Sequence, residues 1–363
     1  MIAPVRVWLN RTYAENVFFI DLLRAAQRPV QVLATHVDPD SPVLAAADLG
    51  ILEPDGLSPD AYVEFALEFC ARHDVDVFLP RLHQLAISLR RREFEALGTV
   101  LVCPPAAAIA LFTSKVDGYE AMDAVGLPTP MWRPARDAAE LLAAVEEIEA
   151  TGAQACLKPA SGAGGEGFRV LTREPFSLRR LAGYVDASVQ LDQVLAALDS
   201  ATEPADLLVM PFLSGPEVSV DCLADPDGRV LAAIGRTKQG RRRGFTVDPA
   251  YLEPARRLVE EFGVGFLSNV QFRHDRGRPV VLDVNTRPSG GLHQVRLCGL
   301  NLPAAAIELA LGARPLLPST GELTLDDYAL VPTIQALLPR QAAAPALERV
   351  PVASELLHAA AAL

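Results

Sequence analysis

The first third of the chain predicts an α/β fold that opens on a parallel sheet, and three observations carry this expectation. Apolar strand-like runs at Val5 to Leu9, Val30 to Ala34, Val75 to Leu79 and Val100 to Cys103 alternate with helical patterns at Ala14 to Gln27, Pro59 to His73 and Leu82 to Leu97, the order that builds an open α/β sheet. Ser58 before Pro59 is an N-cap followed by a first-turn proline, and Arg28-Pro29 stops the preceding helix. The 363 residues allow two or three domains, and 50% hydrophobic content with mean hydropathy +0.21 is ample for their cores.

Charge and cysteines narrow the function classes. A net charge of -12 and a pI near 5.0 argue against nucleic acid or an anionic membrane as partner, because counterion release needs a clustered basic face. The five cysteines, Cys70, Cys103, Cys156, Cys222 and Cys298, stand in apolar contexts without a CxxC pair, as reduced core thiols do. With no export signal and no apolar run of about 18 residues, the expected location is the cytoplasm. A homodimer is compatible with this composition.

The first domain is expected over residues 1–112. No glycine-rich turn follows its first strand, so a dinucleotide site is not expected there. Asn10, Arg11 and Thr12 stand in that place, and Arg81 and His83 follow the strand ending at Leu79. These are loop residues or substrate contacts, since ligands of such sheets sit beyond the carboxyl ends of the strands. Arg90, Arg91 and Arg92 read as a solvated helix face.

A second unit begins near Ser114 with an amphipathic helix opened by Lys115 and stopped by Gly126, with Pro128 and Pro130 beyond. An acidic helix, Asp137 to Ala150, precedes the motif CLKPASGAGGEGFRVL. Its Gly162, Gly164 and Gly167 match GxGxxG, but Phe168 to Leu171 reads as a strand and not a helix, which excludes the dinucleotide fingerprint. Walker A is excluded as well, because Lys158 precedes the glycines. The remaining readings are a surface turn, or a glycine hairpin whose N–H groups approach phosphate while Lys158 neutralises its charge.

Next comes LLVMPFLSGPEVSVDCLA, two strands joined by a Pro and Gly connection, and then AAIGRTKQGRRRGFTV. The latter sets Arg236 and Lys238 at alternate positions of a strand, aimed at a γ-phosphate or a substrate carboxylate, before a glycine-bounded loop of Arg241 to Arg243. Strand-like runs at Leu267 to Arg273 and Pro279 to Val284 form a hairpin through an Asp-Arg-Gly turn. Side-chain alternation lets Gln271, Asp283 and Asn285 converge, with Arg287 two residues further on. Oxygen donors beside a guanidinium suit a hard cation and a phosphate together. The plainer alternative is a polar hairpin end.

Taken together, these motifs resemble the ATP-grasp superfamily, and within it the carbamoyl phosphate synthetase-like carboxylate-amine ligases. The resemblance covers roughly residues 114–312 by motif and implies a two-subdomain ATP-grasp fold after the N-terminal α/β (pre-ATP-grasp) domain: a lid subdomain with the glycine hairpin at 113–208, a catalytic subdomain at 209–314 and a structural appendage at 315–363. It further implies that Lys115, Lys158, Gly162, Gly164 and Gly165 contact ATP phosphates. Met210 and the backbone of Phe212 and Leu213 would hold adenine, Glu217 a ribose hydroxyl, and Gln271, Asp283 and Asn285 one or two Mg2+ ions. Arg287, Lys158, Arg236 and Lys238 would be catalytic, and Ser289, Gly290 and Gly291 would bind the substrate carboxylate. Two positions depart from the family pattern: Met210 stands where many relatives carry an acid, and Asp283 replaces the usual, longer glutamate. The implied activity is ATP-dependent joining of a small-molecule carboxylate to an amine through an acyl phosphate. A catalytically weak ATP-binding regulatory or scaffold module is the alternative.

Overall fold

The structure is a computed structural model and describes residues 3–162, 165–175, 177–178, 182 and 187–329. Gly164 and the C-terminal segment from 330 onward lie outside the described residues. The chain divides into two compact units, one of residues 1–109, 219–269 and 285–363, the other of 110–218 and 270–284. The boundary expected after residue 208 falls inside a strand, Leu207–Pro211, that pairs with Ala155–Pro159 and so belongs with the residues before it.

The first unit opens with five parallel strands: β1 (Val5–Asn10), β2 (Val30–His36), β3 (Leu49–Leu52), β4 (Val77–Leu79) and β5 (Val100–Leu101). Their order is β3-β2-β1-β4-β5, so the winding reverses between β1 and β4. Alternation along β1 feeds two cores: Val7 and Leu9 pack with Ile20 and Leu23, while Trp8 stacks between Phe78 at 3.9 Å and Phe69 at 4.3 Å on the other face. Ser58 caps the helix Pro59–His73 by accepting the Ala61 N–H, as its Ser-Pro start predicts. The helix expected over Leu82 to Leu97 is instead two, Gln84–Leu89 and Arg91–Ala96, broken at Arg90. Arg91 is not a solvated charge. Its guanidinium donates to the carbonyls of Leu101 at 2.9 Å and Cys103 at 2.6 Å.

A buried polar network shapes the loop after β4. Asn10, with 0% exposure, accepts the Arg81 N–H at 2.6 Å and donates to Leu82 O at 3.2 Å and Tyr62 Oη at 3.0 Å. Tyr62 donates in turn to Glu53 at 2.8 Å, and Glu53 also takes bonds from Thr35 and from Arg11. Burial, with the Glu53 charge second, holds the Tyr62 phenol protonated.

The second unit is built on β6 (Arg133–Ala135), β7 (Ala155–Pro159), β8 (Arg169–Thr172), β9 (Ser188–Gln190) and β10 (Leu207–Pro211), in the order β6-β10-β7-β8-β9. Its core gathers Leu141, Val145 and Ile148 of the helix Ala138–Glu149 against Leu157 and Val209. A third sheet has the order β15-β14-β11-β12-β13-β16, from β11 (Glu217–Ala224), β12 (Val230–Gln239), β13 (Arg242–Thr246), β14 (Phe266–Asp275), β15 (Arg278–Asn285) and β16 (Tyr328–Ala329). Arg242 and Arg243, expected in a loop, are on β13. Among the described residues no helix is long and apolar enough to cross a membrane.

Candidate active site

The second unit encloses a cavity of about 250 Å3 lined by Lys115, Lys158, Gly162, Gly165, Met210, Phe212, Leu213, Gln271 and Asp283, among others. Ser114 caps the helix Lys115–Ala124 by accepting the Asp117 N–H, and so fixes the base of Lys115, whose Nζ donates to Gly162 O at 2.7 Å. The hairpin between β7 and β8 needs glycine where its path is tightest. Gly167 has φ +68°, and a Cβ there would lie 2.5 Å from the Pro159 ring.

Lys158 rises from β7, half-buried, and donates to Leu282 O at 3.1 Å, with Nζ 5.7 Å from the Tyr119 ring centroid. Burial pushes its pKa below the ordinary lysine value; Lys115 pushes the same way and Asp283 opposes. Tyr119 donates to Leu282 O at 2.8 Å and stays protonated, through burial and then the Asp283 charge. Sequence reading passed over Tyr119, although it stands four residues after Lys115 on one helix face.

At the connection after β10, the Phe212 N–H donates to Gln154 O at 2.7 Å, and Phe212 faces Phe168 at a ring separation of 6.3 Å. Arg273, another residue the sequence reading missed, donates to Leu213 O at 2.7 Å and Gly215 O at 3.0 Å. Its position two residues after Gln271 on β14 was the available signal. Glu217, expected to meet ribose, sits with a carboxylate oxygen 3.7 Å from Arg273 and does not line the cavity. Met210 is 2% exposed and adds apolar surface.

The expected metal donors divide unevenly. Gln271 and Asp283 line the cavity. Asn285 follows Asp283 at the alternate position of β15, and its Oδ1 accepts from Arg287 Nη1 at 3.3 Å. Among the described residues no cluster of three His, Cys, Asp or Glu side chains is available to a metal.

The remaining expected residues lie in the first unit, where Arg236 and Ser289 bond to each other and to Asp221. Arg236, expected to face phosphate, is 1% exposed and paired with Asp221, Nε to Oδ2 2.5 Å. Ser289, expected to touch substrate, accepts from Arg236 at 2.6 Å and donates to Asp221 at 2.9 Å. Both bond to Asp221, which lies buried beside them with Asn269, each 0% exposed, while Arg236 Nη1 has no partner among the described residues. Lys238 is half-buried two positions along β12; Gly290 is exposed and its carbonyl meets His293 Nδ1 at 3.1 Å. Gly291 packs against Arg236.

Comparison with known proteins agrees with this architecture. Residues 203–325 match the family model described as "ATP-grasp in the biosynthetic pathway with Ter operon". An uncharacterized protein of Sinorhizobium fredii, y4rH, is 28% identical over 201 residues, which is 52% of this chain; the chain spans only 38% of that protein. Among solved structures, the biotin carboxylase domain of Hydrogenobacter thermophilus 2-oxoglutarate carboxylase, in complex with MgADP, ADP and bicarbonate, matches with TM-score 0.64 and 18% identity over 88% of this chain and 72% of its own. Staphylococcus aureus N5-carboxyaminoimidazole synthetase complexed with ADP matches at TM-score 0.60 and 13% identity, covering 88% and 79%. The L-amino acid ligase of Bacillus licheniformis matches at 0.57 and 15%, covering 86% and 75%. With its parallel N-terminal sheet, the glycine hairpin beside a lysine-lined cavity and these likenesses, the chain has the ATP-grasp fold.

Proposed function

We propose that the chain is an ATP- and Mg2+-dependent, ADP-forming ligase that activates a small-molecule carboxylate for attack by an amine. One observation carries the reading: Lys115, Lys158 and Arg273, the carboxylates of Glu166 and Asp283 and the Gln271 carboxamide line the same cavity as the glycine hairpin and an apolar wall. Cations, hard oxygen donors and backbone N–H groups are what a nucleotide triphosphate requires, and the Met210 and Phe212 side suits a purine ring. The likeness to carboxylase and synthetase structures solved with ADP supports the same assignment.

The donor set fits a single Mg2+. That ion commonly takes one or two carboxylates and completes its shell with phosphate oxygens and water, and Asp283 with Gln271 supplies one carboxylate and one amide oxygen. These two side chains would hold it, and when bound it supplies charge neutralisation between the nucleotide phosphates.

Lys115 and Lys158 bind and orient the triphosphate by neutralising its charge. A carboxylate oxygen of the acid attacks the γ-phosphorus, and the bond to the β,γ-bridging oxygen breaks with its electron pair leaving on ADP. The amine nitrogen then attacks the acyl carbon, phosphate departs, and the amine proton passes to solvent. The resemblance implies that Arg287, whose planar fork matches a carboxylate, holds the acid's oxygens. No side-chain nucleophile is required.

A binding module without turnover is the second reading, favoured by Met210 and the short Asp283 standing where the family pattern has acids, at the second a longer glutamate. The test is ADP release from Mg-ATP across panels of carboxylic acids and amines. Release that requires one acid and one amine together identifies a ligase, whereas tight Mg-ATP binding with no acid-dependent ADP identifies the module. Oxygen-18 from the acid appearing in phosphate establishes the acyl phosphate. Label retained wholly in the organic product would sink that mechanism.

A further inference from the structure

In an open parallel sheet, ligands bind in the crevice beyond the carboxyl ends of the strands where the strand order reverses. Here the reversal lies between β1 and β4. A small cavity of about 30 Å3 opens there, lined by Thr12 and Asn16 after β1, Pro80 and Arg81 after β4, and Arg287 and Pro288 from the same unit. That volume is roughly the share of one water molecule in the liquid, so it admits one oxygen of a group seated at its mouth and no nucleotide.

Arg81 is held for display. Its N–H is bonded to the buried Asn10 amide oxygen at 2.6 Å, and its guanidinium carbon lies 3.6 Å from the Tyr13 ring centroid. This cation–π stack fixes a long side chain without using any of its N–H donors. Arg287 presents the second guanidinium, whose one hydrogen-bond partner among the described residues is the Asn285 amide oxygen. Among the described residues neither guanidinium has an ion pair; Glu15 acts on Arg81 through its field alone. Burial and then the Arg287 charge push the Arg81 pKa down to about 10, the mark of two cations facing one another.

Two half-buried guanidinium forks beside a hydroxyl and a carboxamide make a seat for a planar or tetrahedral oxyanion. We propose that Arg81 and Arg287 together bind an anionic group, carboxylate or phosphate, of the small-molecule substrate at this crevice. The assignment deepens the ligase reading and rests on it for the identity of the ligand as substrate. Arg81 then selects for a charged substrate, and Tyr13 and Asn10 position it.

The probes are acetate, succinate and inorganic phosphate, compared with chloride at equal ionic strength, on the full chain. At least one oxyanion should raise the melting temperature of the wild type and bind by calorimetry. Arg81→Gln and Arg287→Gln should weaken that binding by about tenfold or more, the scale of a lost charge-assisted hydrogen bond, while Arg90→Gln should leave it unchanged. If Arg81→Gln does not fold, Arg81→Lys serves, with weaker binding expected from loss of the planar fork. A response to phosphate alone assigns a phosphorylated substrate; a response to carboxylates alone assigns an acid. No oxyanion effect in the wild type, or an undiminished one without the Arg81 fork, overturns the seat. Mg-ATP binding, read by displacement of a fluorescent analogue, should be intact in Arg81→Gln, and its loss there would also overturn the proposal. Failure of the wild type to bind Mg-ATP would instead overturn the ligase reading and leave the anion result standing.

Discussion

The Arg236 guanidinium occupies the space that a side chain at Gly291 would need: a Cβ there would lie 2.4 Å from Nη1 and 3.1 Å from Cζ. Gly291→Ala should therefore destabilise the fold by about 1–3 kcal/mol, the range for overpacking a filled site. At Gly290 a Cβ would meet nothing within 4 Å. The neighbouring Gly290→Ala should be close to neutral, and denaturant midpoints of the two variants make the comparison.

Removing the guanidinium has a larger effect. Arg236 and Asp221 pair with side-chain exposures of 2% and 0%, and breaking such a pair from one side costs about 3–5 kcal/mol because the other charge is left buried. Arg236→Ala should lower the denaturant midpoint strongly, and the double variant with Asp221→Ala should lose less than the sum. Full additivity in that cycle would show that the two residues act independently.

On the ligase reading Lys158 sets an alkaline limit. Its folded pKa lies below that of an ordinary lysine, so its charge is lost at a lower pH than a solvated lysine would lose it. The kcat/KM for Mg-ATP should fall as pH rises through that lowered value, and Lys158→Arg should move the limb upward because arginine stays protonated. Lys158→Ala should remove the limb together with most ATP affinity.

Arg273 satisfies two carbonyls of the connection that lines the cavity. Arg273→Ala leaves those oxygens without their charged donor, a loss of about 1–3 kcal/mol. On the ligase reading it should raise KM for ATP more than it lowers kcat, since its bonds hold the connection that lines the cavity. Equal falls in both parameters would assign it a different role.

Much of the architecture was legible because its signals are local. A Ser-Pro start marks one helix, and a lysine ahead of glycines marks the hairpin; the cavity gathers Lys115, Lys158, Met210, Phe212, Leu213, Gln271 and Asp283, as the motifs suggested. What escaped depends on distant partners. Arg236 on a strand reads the same whether aimed at phosphate or at a buried acid, and Asp221, which decides it, stands 15 residues earlier on another strand. Strand β3 has only four residues and includes Gly50, required because a Cβ there would lie 2.4 Å from Leu44 O. Arg273 showed no motif at all, and only alternation from Gln271 points to it.

The bond from the Arg81 N–H to Asn10 Oδ1 has a consequence for hydrogen exchange. Loop amides ordinarily exchange with solvent through small local openings, whereas this one is closed by a side chain with 0% exposure that is tied in turn to Tyr62 and Glu53. Releasing the Arg81 amide requires the Asn10, Tyr62 and Glu53 contacts to part together. Its protection factor should therefore resemble those of the β1 core rather than of a loop, and Asn10→Ala should lower it by orders of magnitude while leaving the amides of the helix Lys115–Ala124 unchanged.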